Sequence, residues 1–185
     1  MRRILLLLVI LTIAVFCSAC INNYAVQQLN QKAKKYSDQG DLASAASRLE
    51  SSVDLDGNVF ESRFNLAVTY IDMRQCEKAL EQINAAMAIS SKDAAVYYVN
   101  GMANSCLADK ITYDTDEKGT RIKREYEGAE AYSKAREYVQ YLKDANSAFS
   151  KYLELAPVTD QTKEIAQRIE INNNEITTYT AEYGL

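Results

Sequence analysis

The stretch that decides the fold of this 185-residue chain is FESRFNLAVTYIDMRQCEKALEQINAAM, residues 60–87. Its apolar positions recur every three or four residues in two successive runs, which is the spacing of amphipathic helices. Small side chains, Ala67 and Ala79, stand among larger ones such as Tyr70 and Ile83. The stretch therefore predicts two antiparallel helices that pack small residues against large ones.

The same pattern recurs along the chain at an offset of 34 residues, with units beginning near Val26, Phe60 and Ala94. Four positions of the quoted stretch have a counterpart 34 residues earlier. The pairs are Ala33 and Ala67, Tyr36 and Tyr70, Ala45 and Ala79, and Leu49 and Ile83. The third unit opens with Tyr97 and Gly101 and closes at Pro157. A fixed period of this length is the signature of a helical repeat array.

These units resemble the tetratricopeptide repeat (TPR), which carries an aromatic residue, Leu, a small residue and Tyr on its first helix and Ala, an aromatic residue, Ala and a late Pro on its second. The resemblance implies an all-α solenoid of three helix-turn-helix repeats, at residues 26–59, 60–93 and 94–157. Leu29 and Arg63 depart from the early aromatic position, and Pro157 is the single proline of the chain. A generic helical bundle with chance recurrence of small residues stays open as the alternative.

The third unit is about 30 residues too long, and we place the insertion near residues 109–137. Residues 111–114 and 120–123 flank a turn at 115–119, which predicts a β-hairpin. From Tyr126 to Tyr152, tyrosines and other apolar residues recur at helical spacing, so the second helix of this unit starts early. Two alternatives remain for this tyrosine stripe: the hairpin folds back onto it, or it binds a partner or a second copy of the chain.

Residues 158–185 are predicted to form a C-terminal capping helix and a tail. Thr159 can cap the helix, and Ile165 and Ile169 lie on its apolar side. Repeat stacks need such a terminal element to cover the last unit. The polar tail from Asn172 to Leu185 is expected to fray.

The first twenty residues have the pattern of an export signal. Arg2 and Arg3 precede an apolar run from Ile4 to Phe16, which is the pattern of a signal peptide over residues 1–19. Cys17-Ser18-Ala19-Cys20 resembles a bacterial lipobox, which implies lipid attachment at Cys20 and a tether at residues 20–25. Ile21 follows Cys20, and in bacterial lipoproteins the absence of Asp there implies outer-membrane sorting. We therefore expect an outer-membrane lipoprotein that faces the periplasm. Ordinary secretory cleavage and an uncleaved N-terminal anchor are the alternatives.

Composition argues against most catalytic and nucleic-acid functions. The chain has no His, which removes the commonest general base and zinc ligand. Without residues 1–19, 19 basic and 25 acidic residues give a net charge of −6, which lacks the footprint of a nucleic-acid binder. No nucleotide-binding or acyl-transfer motif is present. We expect no enzyme activity, no cofactor and no metal site.

Two cysteines of the predicted repeats, Cys76 and Cys106, fall at helix ends on the same edge of the stack. In an oxidising compartment they can form a disulfide, which closes a 30-residue interval and is worth ~3 kcal/mol in the chain-entropy model. Two buried free thiols are the alternative.

The surface expected to bind a partner is the concave groove, whose inner wall in the TPR family is made by the first helix of each unit. The positions implied by the resemblance are Asn30, Lys34, Phe64, Val68, Ile71, Tyr98 and Met102. Their apolar patch suits a helical or extended peptide. The family's clamp for a terminal carboxylate is not reproduced, since Ala95 and Val99 stand where basic residues are expected. Packing of Phe64 and Tyr98 between helices or beneath the C-terminal helix is the alternative.

The predicted function is that of a membrane-anchored periplasmic TPR scaffold or adaptor that binds protein or peptide partners in cell-envelope assembly. It resembles pilotins and other repeat lipoproteins of pilus, secretion or peptidoglycan machinery. The alternative is a periplasmic lipoprotein that binds a small ligand, with the hairpin as a lid. The identity of the partner and the oligomeric state do not follow from the sequence.

Overall fold

The computed structural model describes residues 23–115 and 120–185, and within these ranges the chain forms seven α-helices and one small hairpin. The elements are α1 (residues 23–38), α2 (Leu42–Leu55), α3 (Phe60–Asp72), α4 (Cys76–Ile89), α5 (Ala94–Thr112), β1 (Tyr113–Thr115), β2 (Arg121–Lys123), α6 (Gly128–Leu155) and α7 (Asp160–Tyr183). The predicted all-α solenoid with a C-terminal helix and a hairpin insertion is confirmed. The predicted signal peptide, Cys20 and the centre of the hairpin turn lie outside the described residues.

Small residues bring the helices into close contact, as the 34-residue pattern predicts. Ala67, Ala79 and Ala86 are fully buried in one core that joins the first four helices to the start of α5. In α5, a Cβ atom at Gly101 would overlap the ring of Phe149 on α6. Only a glycine at this position lets that ring lie directly against the α5 backbone.

Local chemistry explains where two of the helices begin. Gly40 has φ +77° and ends the turn before α2, and the side chain of Asp41 then accepts a hydrogen bond from the Ser44 amide at the helix start. Thr159 and Thr162 form a reciprocal capping box at the start of α7.

The insertion forms a hairpin that is shorter than predicted. β1 and β2 pair antiparallel with Asp114 opposite Ile122. Ile111 and Thr112 belong to α5 and not to the first strand, so the prediction of a strand over 111–114 was wrong at its start. Ile111 is buried against the long helix α6, and this burial favours continuation of α5.

The tyrosine stripe of α6 is covered mainly by the C-terminal helix. Tyr138 is buried, and its ring lies 4.7 Å from that of Tyr179 on α7. The Tyr126 hydroxyl donates to the Ile111 carbonyl, whereas Tyr132 remains 45% exposed. The expected fraying of residues 172–185 was wrong, because α7 continues to Tyr183 and packs Ile176 and Tyr179 into this second core.

Candidate interaction groove

A groove of about 580 Å³ runs between the end of α3, the inner side of α5 and the helix α7, with α6 as its floor. It is called the groove below. Its lining residues are Ile71, Arg74, Met102, Ser105, Cys106, Ala108, Asp109, Thr112, Tyr113, Tyr138, Leu142, Glu164, Gln167, Arg168, Ile171, Asn172 and Glu175. The volume lies in the range of sites that bind ligands or peptide side chains.

The apolar surface of the groove comes from three helices. Ile71 on α3 and Met102 on α5 are half-buried, and Ile171 on α7 is 57% exposed. An isolated exposed isoleucine is ordinary on a protein surface, but one that faces a concave surface with two further apolar residues forms an anchor site.

Charged residues of both signs border this apolar surface. Arg74 forms an ion pair with Asp109, and the Tyr138 hydroxyl donates to the Glu175 carboxylate. Within the described ranges, Glu164 and Arg168 on α7 form no ion pair, so they are free to bind groups from outside the chain.

A disulfide braces the α5 wall of the groove. Cys76, the first residue of α4, is bonded to Cys106 on α5, with their Cα atoms 5.6 Å apart. Nearby, Lys110 Nζ lies 2.7 Å from Glu77 Oε1, and this hydrogen bond lowers the pKa of the Glu77 carboxyl. Since α5 continues to Thr112, Cys106 lies within that helix and not at its end. The bridge holds α4 against the helix that lines the groove.

The residues predicted to line one continuous groove are divided among three locations. Ile71 and Met102 line the groove, whereas Asn30, Lys34 and Val68 border a separate cavity of about 210 Å³ between α1 and α3. The two aromatic residues, Phe64 and Tyr98, are half-buried among core residues and border neither cavity.

Contacts of three of these side chains explain the division. Phe64 lies 5.7 Å from the ring of Phe60, and Tyr98 contacts the rings of Phe149 and Tyr152. Asn30 Nδ2 donates to the Ser52 and Ser62 hydroxyls at 3.0 and 2.8 Å, so this amide points into the interface of α1, α2 and α3.

Sequence reasoning missed the contribution of α7, which supplies Glu164, Gln167, Arg168 and Ile171 to the groove. The sequence predicts only a capping role for this helix. The signal was available in its spacing, because residues 164, 168 and 171 fall on one face beside the apolar face that carries Ile165 and Ile169.

The described residues contain neither a membrane-spanning helix nor a cluster of metal ligands. No described helix combines the length and apolarity that crossing a bilayer requires. Within residues 23–115 and 120–185, no group of three or more Cys, Asp or Glu is arranged to hold a metal ion.

Comparison with known proteins shows the fold. No family model and no curated protein sequence matches the chain. Among solved structures, the Arabidopsis OM64 TPR domain is 17% identical with a TM-score of 0.60, and the match covers 80% of this chain and 97% of that one. The chain has the TPR fold.

Two further solved structures similar to this chain contain bound peptides. The first TPR of Spaghetti (RPAP3), bound to an HSP90 peptide, is 19% identical over 80% of this chain and 94% of its own, with a TM-score of 0.56. The Yersinia enterocolitica type III secretion chaperone SycD, in complex with a peptide of the translocator YopD, is 16% identical over 82% and 92%, with a TM-score of 0.54.

Proposed function

We propose that this TPR protein is a lipid-anchored scaffold of the bacterial cell envelope and that its groove binds a segment of a partner protein. The segment presents apolar side chains to Ile71, Met102 and Ile171, with charged groups near Glu164 and Arg168. The protein carries out no catalytic step, and its role is to hold the partner at the outer membrane on the periplasmic side.

The observation that carries the groove proposal is the exposure of Ile171 in the same concave surface that Met102 lines. Ile171 is 57% exposed, so burial of its remaining surface by a partner is worth about 1–2 kcal/mol. Several such anchors supply an affinity that is modest in solution. A membrane tether raises the effective concentration at the surface, so modest affinity is sufficient.

The Cys76–Cys106 disulfide supports a location outside the cytoplasm. Structural disulfides persist in oxidising compartments and are rare where glutathione and thioredoxin keep thiols reduced. The export pattern before Cys20 supports the same location by an independent argument.

The solved structures with HSP90 and YopD peptides support a peptide as the occupant, since both proteins are similar in fold to this chain. The envelope machine served by this protein, whether a pilus, a secretion system or peptidoglycan enzymes, is proposed from the lipobox resemblance and not from these structures.

The groove is tested by purification of the tagged protein from detergent-solubilised envelopes of the source organism. We expect Ile171→Glu and Arg168→Glu to reduce recovery of a specific partner at least tenfold. Matched controls are Ile89→Glu and Arg48→Glu, which change exposed residues outside the groove and should recover the partner as the native chain does. Equal recovery by all variants, or no specific partner at all, would contradict the proposal.

The tether is tested separately by labelling cells with radioactive palmitate. The native protein should incorporate the label and fractionate with the outer membrane, and Cys20→Ser should do neither. Asn22→Ser, outside the lipobox, is the control and should be labelled. An unlabelled native protein would remove the anchor from the account and leave the groove to be judged by its own experiment.

A further inference from the structure

A second cleft lies on the opposite side of α5 from the groove. It has a volume of about 670 Å³, its walls are α4 and α6, and its floor is the α5 face that carries Tyr97, Asn100 and Asn104. Both walls pack against α5, so the cleft follows that helix between them. We call it the outer cleft.

Three asparagines cross the outer cleft as a hydrogen-bonded chain. Asn104 Nδ2 donates to Asn100 Oδ1 at 3.0 Å, and Asn100 Nδ2 donates to Asn84 Oδ1 on α4 at 2.9 Å. In both of these hydrogen bonds, the Nδ2 of one asparagine donates to the Oδ1 of the next. An acceptor, Asn104 Oδ1, is therefore left at one end, and a donor, Asn84 Nδ2, is left at the other.

The Asn104 end of the asparagine chain presents an acceptor to the outer cleft. Asn104 is only 4% exposed, and its Nδ2 also donates to the Asn100 carbonyl at 3.0 Å. Its Oδ1 accepts no hydrogen bond from the described residues and is not sealed from the outer cleft, so water can reach it. A ligand hydroxyl in the cleft can replace that water and donate to Oδ1.

Two of the three charged residues of the outer cleft pair with each other along α6. Lys151 Nζ lies 2.6 Å from Glu154 Oε2, whereas Asp144 Oδ1 accepts a hydrogen bond from the neutral amide of Gln140 at 2.9 Å. The other hydrogen-bonding groups of the lining are neutral amides and the hydroxyls of Ser147 and Ser150. The Asp144 carboxylate disfavours an anionic ligand and can accept from a hydroxyl, so the lining suits a neutral ligand with many hydroxyl groups.

We propose that the outer cleft is a saccharide-binding site, in which Asn84 Nδ2 and Asn104 Oδ1 bind sugar hydroxyls and the ring of Tyr97 packs against the apolar face of the sugar. A sugar hydroxyl both donates and accepts, so hydroxyls at separate positions of one saccharide can bind the two ends of the asparagine chain. The site is independent of the groove, because α5 separates the two and they share no lining residue.

The test is calorimetric titration of the full-length protein, purified in a detergent without a sugar headgroup, with glucose, galactose, N-acetylglucosamine and maltose. We expect saturable binding of at least one of these sugars and a loss of affinity of at least tenfold in Asn84→Leu. Asn174→Leu removes an exposed asparagine of α7 outside the cleft and should bind as the native protein does.

Further outcomes separate this site from its alternatives. Asn104→Leu should abolish binding, and Ile171→Glu in the groove should leave it unchanged. Absence of binding by the whole sugar set, or equal affinity of Asn84→Leu and the native protein, would overturn the proposal. Competition by trialanine against the bound sugar would also overturn it, because the cleft would then recognise peptide backbone.

Discussion

Gly101 on α5 is the residue at which the fold tolerates no side chain. We expect Gly101→Ala to lower the free energy of unfolding by about 1–3 kcal/mol, because the added Cβ overlaps the Phe149 ring. The higher helix propensity of Ala offsets only part of this loss. Urea unfolding followed by circular dichroism measures the change. Phe149→Leu introduced into the Gly101→Ala chain should recover part of it, and a single variant as stable as the native chain would refute this packing.

Two serines test the cost of unmade hydrogen bonds. Ser105 Oγ is buried with no partner among the described residues, whereas the buried Ser62 hydroxyl bonds to both Ser52 and Asn30. We expect Ser105→Ala to be neutral or to stabilise the chain by up to about 1 kcal/mol, and Ser62→Ala to destabilise it by about 1–3 kcal/mol. The same unfolding experiment compares them. The reverse order of the two variants would be incompatible with this structure.

Sequence reasoning assigned Ile71, Met102, Phe64 and Tyr98 to one wall. Ile71 and Met102 line the groove, whereas the orientation of Phe64 and Tyr98 did not follow from the sequence. Position along a helix follows from spacing, whereas the direction of a side chain depends on which neighbours approach. Tyr98 turns towards Phe149 and Tyr152, which follow it by about fifty residues. The insertion between these residues concealed that contact.

At the level of secondary-structure elements, the packing of α6 against α7 makes the stability of the folded state depend on pH in the alkaline range. Burial and then the hydrogen bond to Glu175 raise the pKa of Tyr138 above the ordinary value, and burial also raises the pKa of Tyr179. The folded state therefore keeps protons that the unfolded chain releases above about pH 10, so stability falls as pH rises through this region.

We predict that the melting temperature drops between pH 9 and pH 11 and that the drop is smaller in Tyr138→Phe. Tyr132→Phe, at an exposed position of the same helix, should leave the native profile unchanged. Parallel profiles for the native chain and Tyr138→Phe would contradict the burial of this tyrosine between α6 and α7.

The junction of α4 and α5 depends on its disulfide more than on its ion pairs. Removal of the bridge by joint Cys76→Ala and Cys106→Ala substitutions should cost about 3 kcal/mol of unfolding free energy. The exposed Lys110–Glu77 pair should contribute about 1 kcal/mol or less. Dithiothreitol should destabilise the native chain and leave the double variant unaffected, and insensitivity of the native chain would show that the thiols are free.

Capping chemistry located the start of α7, because Thr159 acts through neighbours three residues away. The extension of α7 to Tyr183 and its contribution to the groove did not follow from the capping residues. Tyr179 is ordered by Tyr138, and Ile171 faces the groove because Ile165 is buried against α6. Both contacts depend on the position of α6, which the insertion lengthens at its N-terminal end.

For the whole molecule, the 34-residue recurrence was sufficient to predict the stack, since identical spacing of small residues makes successive helix pairs pack alike. The outer cleft was not predicted. Asn100 and Asn104 show their i, i+4 spacing in the sequence, but Asn84 joins them only when α4 packs beside α5.

The most direct test of the central claim, that the groove holds a partner segment, is photocrosslinking in intact cells with benzoylphenylalanine at position 167 or 161. Both positions replace exposed glutamines of α7, but only Gln167 lines the groove. We predict a crosslink to one specific envelope protein from position 167, located in a defined peptide of it, and none from position 161. The same products from both positions, or no product from position 167, would contradict the account.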